Sequence, residues 1–322
     1  MTREALAAVS AGLTSAIATV AFLSGSFLAL VLVYLAPLPM LLAGLSYGPR
    51  AAAIAALAGT TAMGFFGGWL TAGVFALIHA GPTWMVVKLA LMARTGAVGA
   101  NGSGNTLWMD PGQVISVMAA FAAGLLVLAA LAVGDAGLSG YVAEHLGLVL
   151  GQMAPEVEAA NRTRFASAMT PLFPGAVSTS WLVMLAVNAA IAQGLLVRFG
   201  RNRRPSPNYA GLELPGWLSW PLVGAAALAL AGSGEWEYMG RNLAMVLALP
   251  YFFLGLAVFH TLARRVNATK PLLVAFYLVI VISVWAALVV AGIGVVEQWF
   301  GLRGRIAPPG PQNGPTGRPE ED

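Results

Sequence analysis

Three histidines, His79, His145 and His260, are the only imidazoles in the 322-residue chain, and it has no cysteine. No two histidines are four residues apart and no H-E-x-x-H occurs, so a zinc site has no ligand set. Without cysteine, disulfides, thiolate catalysis and thiolate metal ligation are excluded together. No Gly-x4-Gly-Lys-Ser/Thr run cradles a phosphate, and the Gly99 to Gly104 stretch lacks the third glycine and the preceding strand that a dinucleotide site needs. A Gly-x-Ser-x-Gly elbow and a pair of carboxylates within an apolar run are equally missing. The residues therefore predict no cofactor, no metal and no catalytic activity of the chain's own.

The chemistry that remains is hydrogen bonding by polar groups and helix breaks inside apolar runs. In hydrocarbon an unpaired polar group is costly, so such positions are functional candidates by default. Pro37 and Pro39 each remove an amide donor, freeing the carbonyls of Val33 and Leu35, so the helix there must kink or divide. Breaks of this kind line binding cavities in transporters. Pro82 and Pro250 do the same to the carbonyls of Ile78 and Val246. His79 stands just before the Pro82 break, and Asn188 sits centrally in its own apolar run with Gln193 beyond. Each has a plainer role as well, a packing kink or an interhelical hydrogen bond. Glu235 and Trp236, with Glu237 and Tyr238, fill a short turn that serves either as an aromatic membrane anchor or as part of a cation-accepting pocket.

These groups are carried by elements that composition identifies. Only 30 residues are charged, 17 basic and 13 acidic, where a soluble chain of this length would carry roughly 80. Apolar residues make up 58% and the mean hydropathy is +0.79. The surrounding solvent must be lipid, and the fold class is an all-α, polytopic transmembrane bundle. The net charge of +4 reports topology rather than nucleic-acid binding. A bilayer core about 30 Å thick needs about 20 apolar residues as helix. Such stretches run from Ala5 to Leu23, Phe27 to Tyr47, Arg50 to Phe66, Trp69 to Met92, Val114 to Val133, Leu172 to Val197, Trp217 to Ala231, Met239 to Leu262 and Leu272 to Trp299. The third and seventh are short, so eight or nine spans are expected.

A cytoplasmic N-terminus places Arg3, Arg50, Lys88, Arg94, Arg198, Arg201, Arg203, Arg204, Arg264, Arg265 and Lys270 inside, as the positive-inside rule asks. With nine spans, Arg303, Arg305 and Arg318 are the exception. Between the fifth and sixth spans, apolar residues at helical spacing from Leu138 to Met153, followed by a Glu158 and Arg162 pair at i, i+4, predict an amphipathic helical hairpin on the outer face. It either shields the span ends or acts as a lid near Glu144 and Glu158. The loop from Arg198 to Pro215 reads as a topology anchor on anionic lipid or as a partner site. A transmembrane domain over 1–300 and a Pro/Gly-rich disordered tail over 301–322 complete the organisation. Ala7 and Ala11 show small-x3-small spacing suited to close helix contact.

Three stretches carry a resemblance: PLPMLLAGLSYGPR from Pro37 to Arg50; LAVN ending at Asn188 with LLVR ending at Arg198 and LPGW ending at Trp217; and PYFFLGLAVFH from Pro250 to His260. Together they resemble the YybS-like family of predicted bacterial integral membrane proteins, a domain of unknown function. That family is distantly similar to the substrate-capturing S subunits of energy-coupling factor transporters. The resemblance implies residence in the bacterial cytoplasmic membrane, a fold that is S-subunit-like in part, and docking of the first helix, through Ala7 and Ala11, onto ATP-driven transporter subunits. The chain departs from S subunits in having about nine spans instead of six.

The expected function is binding of a small ligand, associated with transport, in an outward cavity around Pro37, Pro39, His79 and Asn188, with Glu235 and Trp236 at its mouth. The other reading is a membrane scaffold or assembly factor that recruits a partner through Arg198, Arg201, Arg203 and Arg204.

Overall fold

The structure, a computed structural model, describes residues 2–21, 26–98 and 104–306. The described chain is helical apart from one β-hairpin, and it divides into two compact units, Met1–Pro250 and Tyr251–Asp322.

In the first unit, α1 (Arg3–Val20) is started by Thr2, whose hydroxyl accepts from the Ala5 amide at 3.3 Å. Ser26 opens α2 (Phe27–Tyr34) in the same way, accepting from Ala29 at 3.2 Å. At the next element the proline pair decides the geometry. Pro37 stands in the first turn of α3 (Pro37–Tyr47), where a missing amide donor costs nothing, so the chain divides into two helices rather than bending one. Gly48, at φ 106°, ends α3, and Pro49 opens α4 (Pro49–Phe75).

Inside α4, Gly68 adopts φ 82° and ψ 176°, a conformation essentially reserved for glycine. The chain turns back there. A Cβ added to Gly64 would lie 3.3 Å from the Ala72 Cβ, and one on Gly59 would lie 2.8 Å from the Phe75 ring. Residues eight apart along a straight helix would be about 12 Å apart. The 42-residue apolar run Pro49–Ala90 is therefore two arms side by side, the second passing through a π-turn at Ala76–Ala80 into α5 (Gly81–Ala90).

Small residues set the packing of this region. A Cβ on Gly12 would sit 2.1 Å from the Ala55 carbonyl oxygen, and one on Gly59 2.9 Å from that of Gly12. The two backbones touch. Lipid tails are as apolar as side chains, so helix association here comes from van der Waals contact, which small residues maximise. Around it lies a cluster of Ala8, Ala16, Met40, Ala51, Ala55, Met63, Phe75 and Ala80, with Ala11 packed against it.

After α5, β1 (Ala93–Val98) pairs antiparallel with β2 (Gly104–Trp108). The sequence gives no sign of this hairpin. Of the Gly99 to Gly104 stretch, residues 99–103 lie outside the described residues. Asp110 accepts from the Gly112 amide at 2.7 Å and, with Pro111, starts α6 (Pro111–Val133).

The expected helical pair is α7 (Leu138–Met153) and α8 (Ala159–Met169). Arg162 differs from its expected pairing with Glu158. Its guanidinium donates to the carbonyls of Ala154, Pro155 and Val157 at 3.3, 3.0 and 2.7 Å. Carbonyls at a helix end have no intrahelical donor, and one Arg serves several of them. A 3-10 turn leads into α9 (Phe173–Arg198), then come α10 (Ser219–Ala231) and α11 (Glu235–Ala263), which continues helical through Pro250.

In the second unit, α12 (Thr269–Ile282) and α13 (Val284–Phe300) meet at Ser283, whose extended backbone bends the pair by 115°. One straight span from Leu272 to Trp299 is not formed. Within this unit α13 runs back along the end of α11, so close that a Cβ added to Gly255 would lie 1.9 Å from the Val290 oxygen and one added to Gly294 1.8 Å from the Tyr251 oxygen. Phe259 and Phe276 stack at 3.5 Å. Glu297 is buried and accepts from the Arg303 side chain at 2.6 Å at the start of α14 (Leu302–Ile306). Residues 307–322, the main part of the expected tail, lie outside the described residues.

Among the described residues, five helical runs are long and apolar enough to cross a membrane, or six if the bent pair is one span. That is fewer than the eight or nine expected. The third and fourth stretches are continuous in one run, and α10 has only 13 residues.

The backbone contact at Gly12 gives a first prediction. Gly12→Ala forces α1 away from α4 and destabilises the chain by about 1–3 kcal/mol. Gly124→Ala, on an exposed site of α6 with nothing within 4 Å, is neutral or slightly stabilising. Unfolding of both variants by dodecyl sulfate in mixed micelles, followed by circular dichroism, reads the difference.

Candidate functional site

Each helix break in lipid leaves carbonyls that need a donor. At the α2/α3 division, the Val33 carbonyl takes the Ala36 amide at 3.2 Å and the Leu35 carbonyl takes that of Leu38 at 3.0 Å, both in tight local turns. Two carbonyls in the break are served from other helices. Ala36 accepts from the Ser15 hydroxyl at 2.6 Å, and Tyr34 accepts from the Asn188 side-chain nitrogen at 2.7 Å. The Pro82 break is closed likewise, with the Trp181 indole donating to the Ile78 carbonyl at 2.9 Å. Trp181 and Asn188 are seven residues apart on α9, hence on one face.

The Asn188 amide has a fixed orientation. Its nitrogen donates both to Tyr34 and, at 2.8 Å, to the Met184 carbonyl of its own helix. Two acceptors on that side require the nitrogen there, so the side-chain oxygen points the other way. Asn188 is 2% exposed, and this Oδ1 is buried with no hydrogen-bond partner.

A groove of about 480 Å³ lies at this position, lined by Tyr34, Leu35, Ala176, Thr179, Ser180, Val183, Met184, Val187, Asn188 and Met245. Most of the lining is one stripe of α9 at helical spacing, with Tyr34 and Leu35 from the break opposite and Met245 from α11. Tyr34 and Ser180 share a hydroxyl–hydroxyl bond of 2.9 Å, and the Thr179 hydroxyl oxygen is buried without a partner. Among the described residues, no charged side chain lines the groove.

The residues singled out in the sequence fall into four places. Asn188 and the Pro37 break come together at the groove, with Pro37 buried and Pro39 half-buried behind Tyr34 and Leu35. His79 does not line it. It lies buried in the π-turn, 5.5 Å from the Phe75 ring, and its Nδ1 and the Thr83 hydroxyl one turn on have no partner. Glu235 accepts from the Ser139 amide at 3.3 Å and from the Ser139 hydroxyl, so it caps α7; Trp236 beside it is exposed. Ala7 is half-buried and Ala11 packs inward against the α1/α4 cluster.

The basic loop forms the fourth place. Arg198 and Arg201 are exposed, whereas Arg203 donates to the Tyr47 carbonyl at 2.7 Å. Arg204 is buried, donating to the carbonyls of Ala90 and Met109 at 2.8 and 3.3 Å with its guanidinium over the Trp108 ring. Its own carbonyl accepts from Gln193 at 2.9 Å and Asn202 at 2.8 Å. Burial pulls the Arg204 guanidinium down from its ordinary range. Burial also pushes the nearby Asp110 carboxyl above 3.8, against its backbone bonds from Gly112 and Glu213. This cluster ties the loop to the ends of α5, β2 and α6.

Residues 13–297 match the model of a family described as Predicted membrane protein (DUF2232). The chain belongs to this family. No curated protein and no solved structure matches it. The DUF2232 family is one of membrane proteins of unknown function, so the groove and its residues must supply any functional argument.

Sequence reasoning missed Tyr34, Thr179 and Ser180 in the groove, and Ser15 and Trp181 as donors to the breaks. The signal was the hydroxyl cluster Ser178 to Ser180 followed, two turns after Trp181, by Asn188. Such a polar rib on one long apolar helix needs partners on its neighbours.

The Asp110 carboxyl generates a pH prediction. Its charged form is disfavoured in the fold, so its contribution to stability is present below 3.8 and is lost as pH rises through the raised value. Asp110→Asn keeps an oxygen to accept from Gly112 and removes that dependence. Thermal unfolding of both proteins across the carboxylate range checks it; an unchanged pH profile in the variant contradicts the assignment.

Proposed function

We propose that this DUF2232 protein is a ligand-binding membrane subunit associated with transport, which holds a small molecule in the groove between the α2/α3 break and α9 without transforming it chemically. The observation that carries this reading is the groove of about 480 Å³ beside the α2/α3 break, with Asn188 among its lining residues. The resemblance of the Pro37 to Arg50 stretch to S subunits supports the same reading, since in those subunits binding is separate from ATP hydrolysis.

The protein resides in the bacterial cytoplasmic membrane with its N-terminus in the cytoplasm. The fold-back at Gly68 supports counting Pro49–Gly67 and Trp69–Ala90 as separate crossings, which brings the count toward the expected eight or nine. With Ala11 turned inward, the face of α1 left for ATP-driven partner subunits is the exposed one carrying Leu6, Leu13 and Ile17. The scaffold reading has fewer groups to use. Arg203 and Arg204 hold carbonyls of their own chain, which leaves Arg198 and Arg201 as the exposed charges of that loop.

The test is recovery of bound small molecules. Wild type purified in mild detergent and analysed by native mass spectrometry retains a ligand of low mass; Val183→Trp, which fills the groove and leaves the Asn188 bonds alone, loses it. A ligand retained equally by wild type and Val183→Trp contradicts the proposal, and so does a wild type that carries none.

A further inference from the structure

The turn of the α4 hairpin presents a surface that the groove does not use. We propose that Phe65, Phe66, Trp69 and Leu70 form a lipid-contacting tip, which ends among the acyl chains and headgroup esters of the leaflet opposite the Arg203/Arg204 loop and does not enter water.

The two feet of the hairpin are held by one loop. Arg203 donates to the Tyr47 carbonyl, two residues before Pro49 opens the first arm, and its neighbour Arg204 donates to the Ala90 carbonyl at the end of the second. Arg50, Arg198 and Arg201 are exposed beside these feet and mark a boundary with water. From there the first arm, residues 49–67, rises about 28 Å. The hydrocarbon core is about 30 Å thick, and any tilt of the arm shortens its reach further. By contrast α11, with 29 residues, extends about 43 Å and opens with Glu235, Glu237 and Arg241. The hairpin has no charged residue from Ala51 to Val87, so its turn has nothing to offer water.

The side chains at the turn fit the same depth. Phe65, Phe66, Trp69 and Leu70 are 84, 82, 86 and 64% exposed, a concentration of apolar surface that water contact penalises. The patch is continuous with the exposed apolar residues Leu57 on the first arm and Val74 on the second, which belong to an apolar run long enough to span the bilayer. Trp69 adds an indole N–H to an apolar ring, the combination found at headgroup level. The backbone is self-sufficient too. Gly68 reverses the chain at φ 82°, and the Gly67 carbonyl next to it accepts from the Thr71 hydroxyl at 2.7 Å. A carbonyl in water needs no such donor, whereas one in hydrocarbon does.

The chain has no cysteine, so one introduced cysteine carries a nitroxide label at a single place. The experiment uses the full chain in phosphatidylcholine and phosphatidylglycerol vesicles, labelled at Phe66→Cys, with Trp69→Cys as the second tip position if the first does not fold. Ser206→Cys and Glu158→Cys, both at exposed loop positions, are the references. Power-saturation electron paramagnetic resonance reads collisions with oxygen, which concentrates in hydrocarbon, and with a water-soluble nickel chelate. The tip label is expected to meet the nickel chelate about tenfold less often than the reference labels and to meet oxygen more often. Nickel collisions equal to those of the references place the turn in water and overturn the proposal. Low collision with both reagents means that protein, not lipid, covers the tip, and overturns it as well. Neither result touches the groove, whose occupancy is read separately.

Discussion

A carbonyl released inside hydrocarbon must find a donor, and most of this protein's architecture around α9 follows from that requirement. Water is absent there, so the partners have to come from the chain. The break between α2 and α3 is tolerated because Ser15 and Asn188 deliver donors to Ala36 and Tyr34. The Pro82 break is tolerated because Trp181 delivers one to Ile78. Two of these three donors sit on the same face of α9. That helix therefore fixes where the broken helices stand, and its rotation about its own axis is set by bonds to two separate breaks.

Glycine geometry supplies the complementary constraint. In lipid, the donors can reach their targets only if the helices carrying them are held at close range, and the hydrophobic effect does not hold them. Gly12 and Gly59 bring the backbones of α1 and α4 into contact, which carries Ser15, three residues beyond Gly12, to the Ala36 carbonyl. Gly175 performs the same service on α9, where its amide donates to the Asn242 side chain at 2.7 Å and a Cβ would lie 3.0 Å from that oxygen. Bulk at either glycine would separate a donor from its carbonyl. Packing and hydrogen bonding are thus one problem here, not two.

The sequence made the class of fold, the division at Pro37, and the central place of Asn188 legible, because each depends on local chemistry: apolar length, a missing amide, a polar group in an apolar run. The rest depends on pairing across the chain. Asn188 and Tyr34 are 154 residues apart, and nothing in either neighbourhood names the other. In the sequence Arg204 is one more charge of a topology-setting loop, yet the adjacent Arg203 and Arg204 have different fates according to which carbonyls end nearby, that of Tyr47 for the first and those of Ala90 and Met109 for the second. The bend at Ser283 was invisible for the opposite reason. No glycine or proline marks it, and Val284 and Ile282 on either side are as apolar as any residue of a straight span.

Asn188 shows why a site can arise at such a place. A broken helix calls for a side chain able to donate, and among neutral residues of suitable length an amide is the natural solution. An amide, however, brings an acceptor with every donor. The nitrogen is satisfied by Tyr34 and Met184, and the oxygen is left buried without a partner, in a residue that lines the groove beside the break. The structural repair therefore creates, in the same side chain, a buried acceptor beside an unfilled space. Hydrophobic replacement at this position would remove the orphan oxygen but leave the Tyr34 carbonyl without its donor, so the fold holds the acceptor in place for its own reasons.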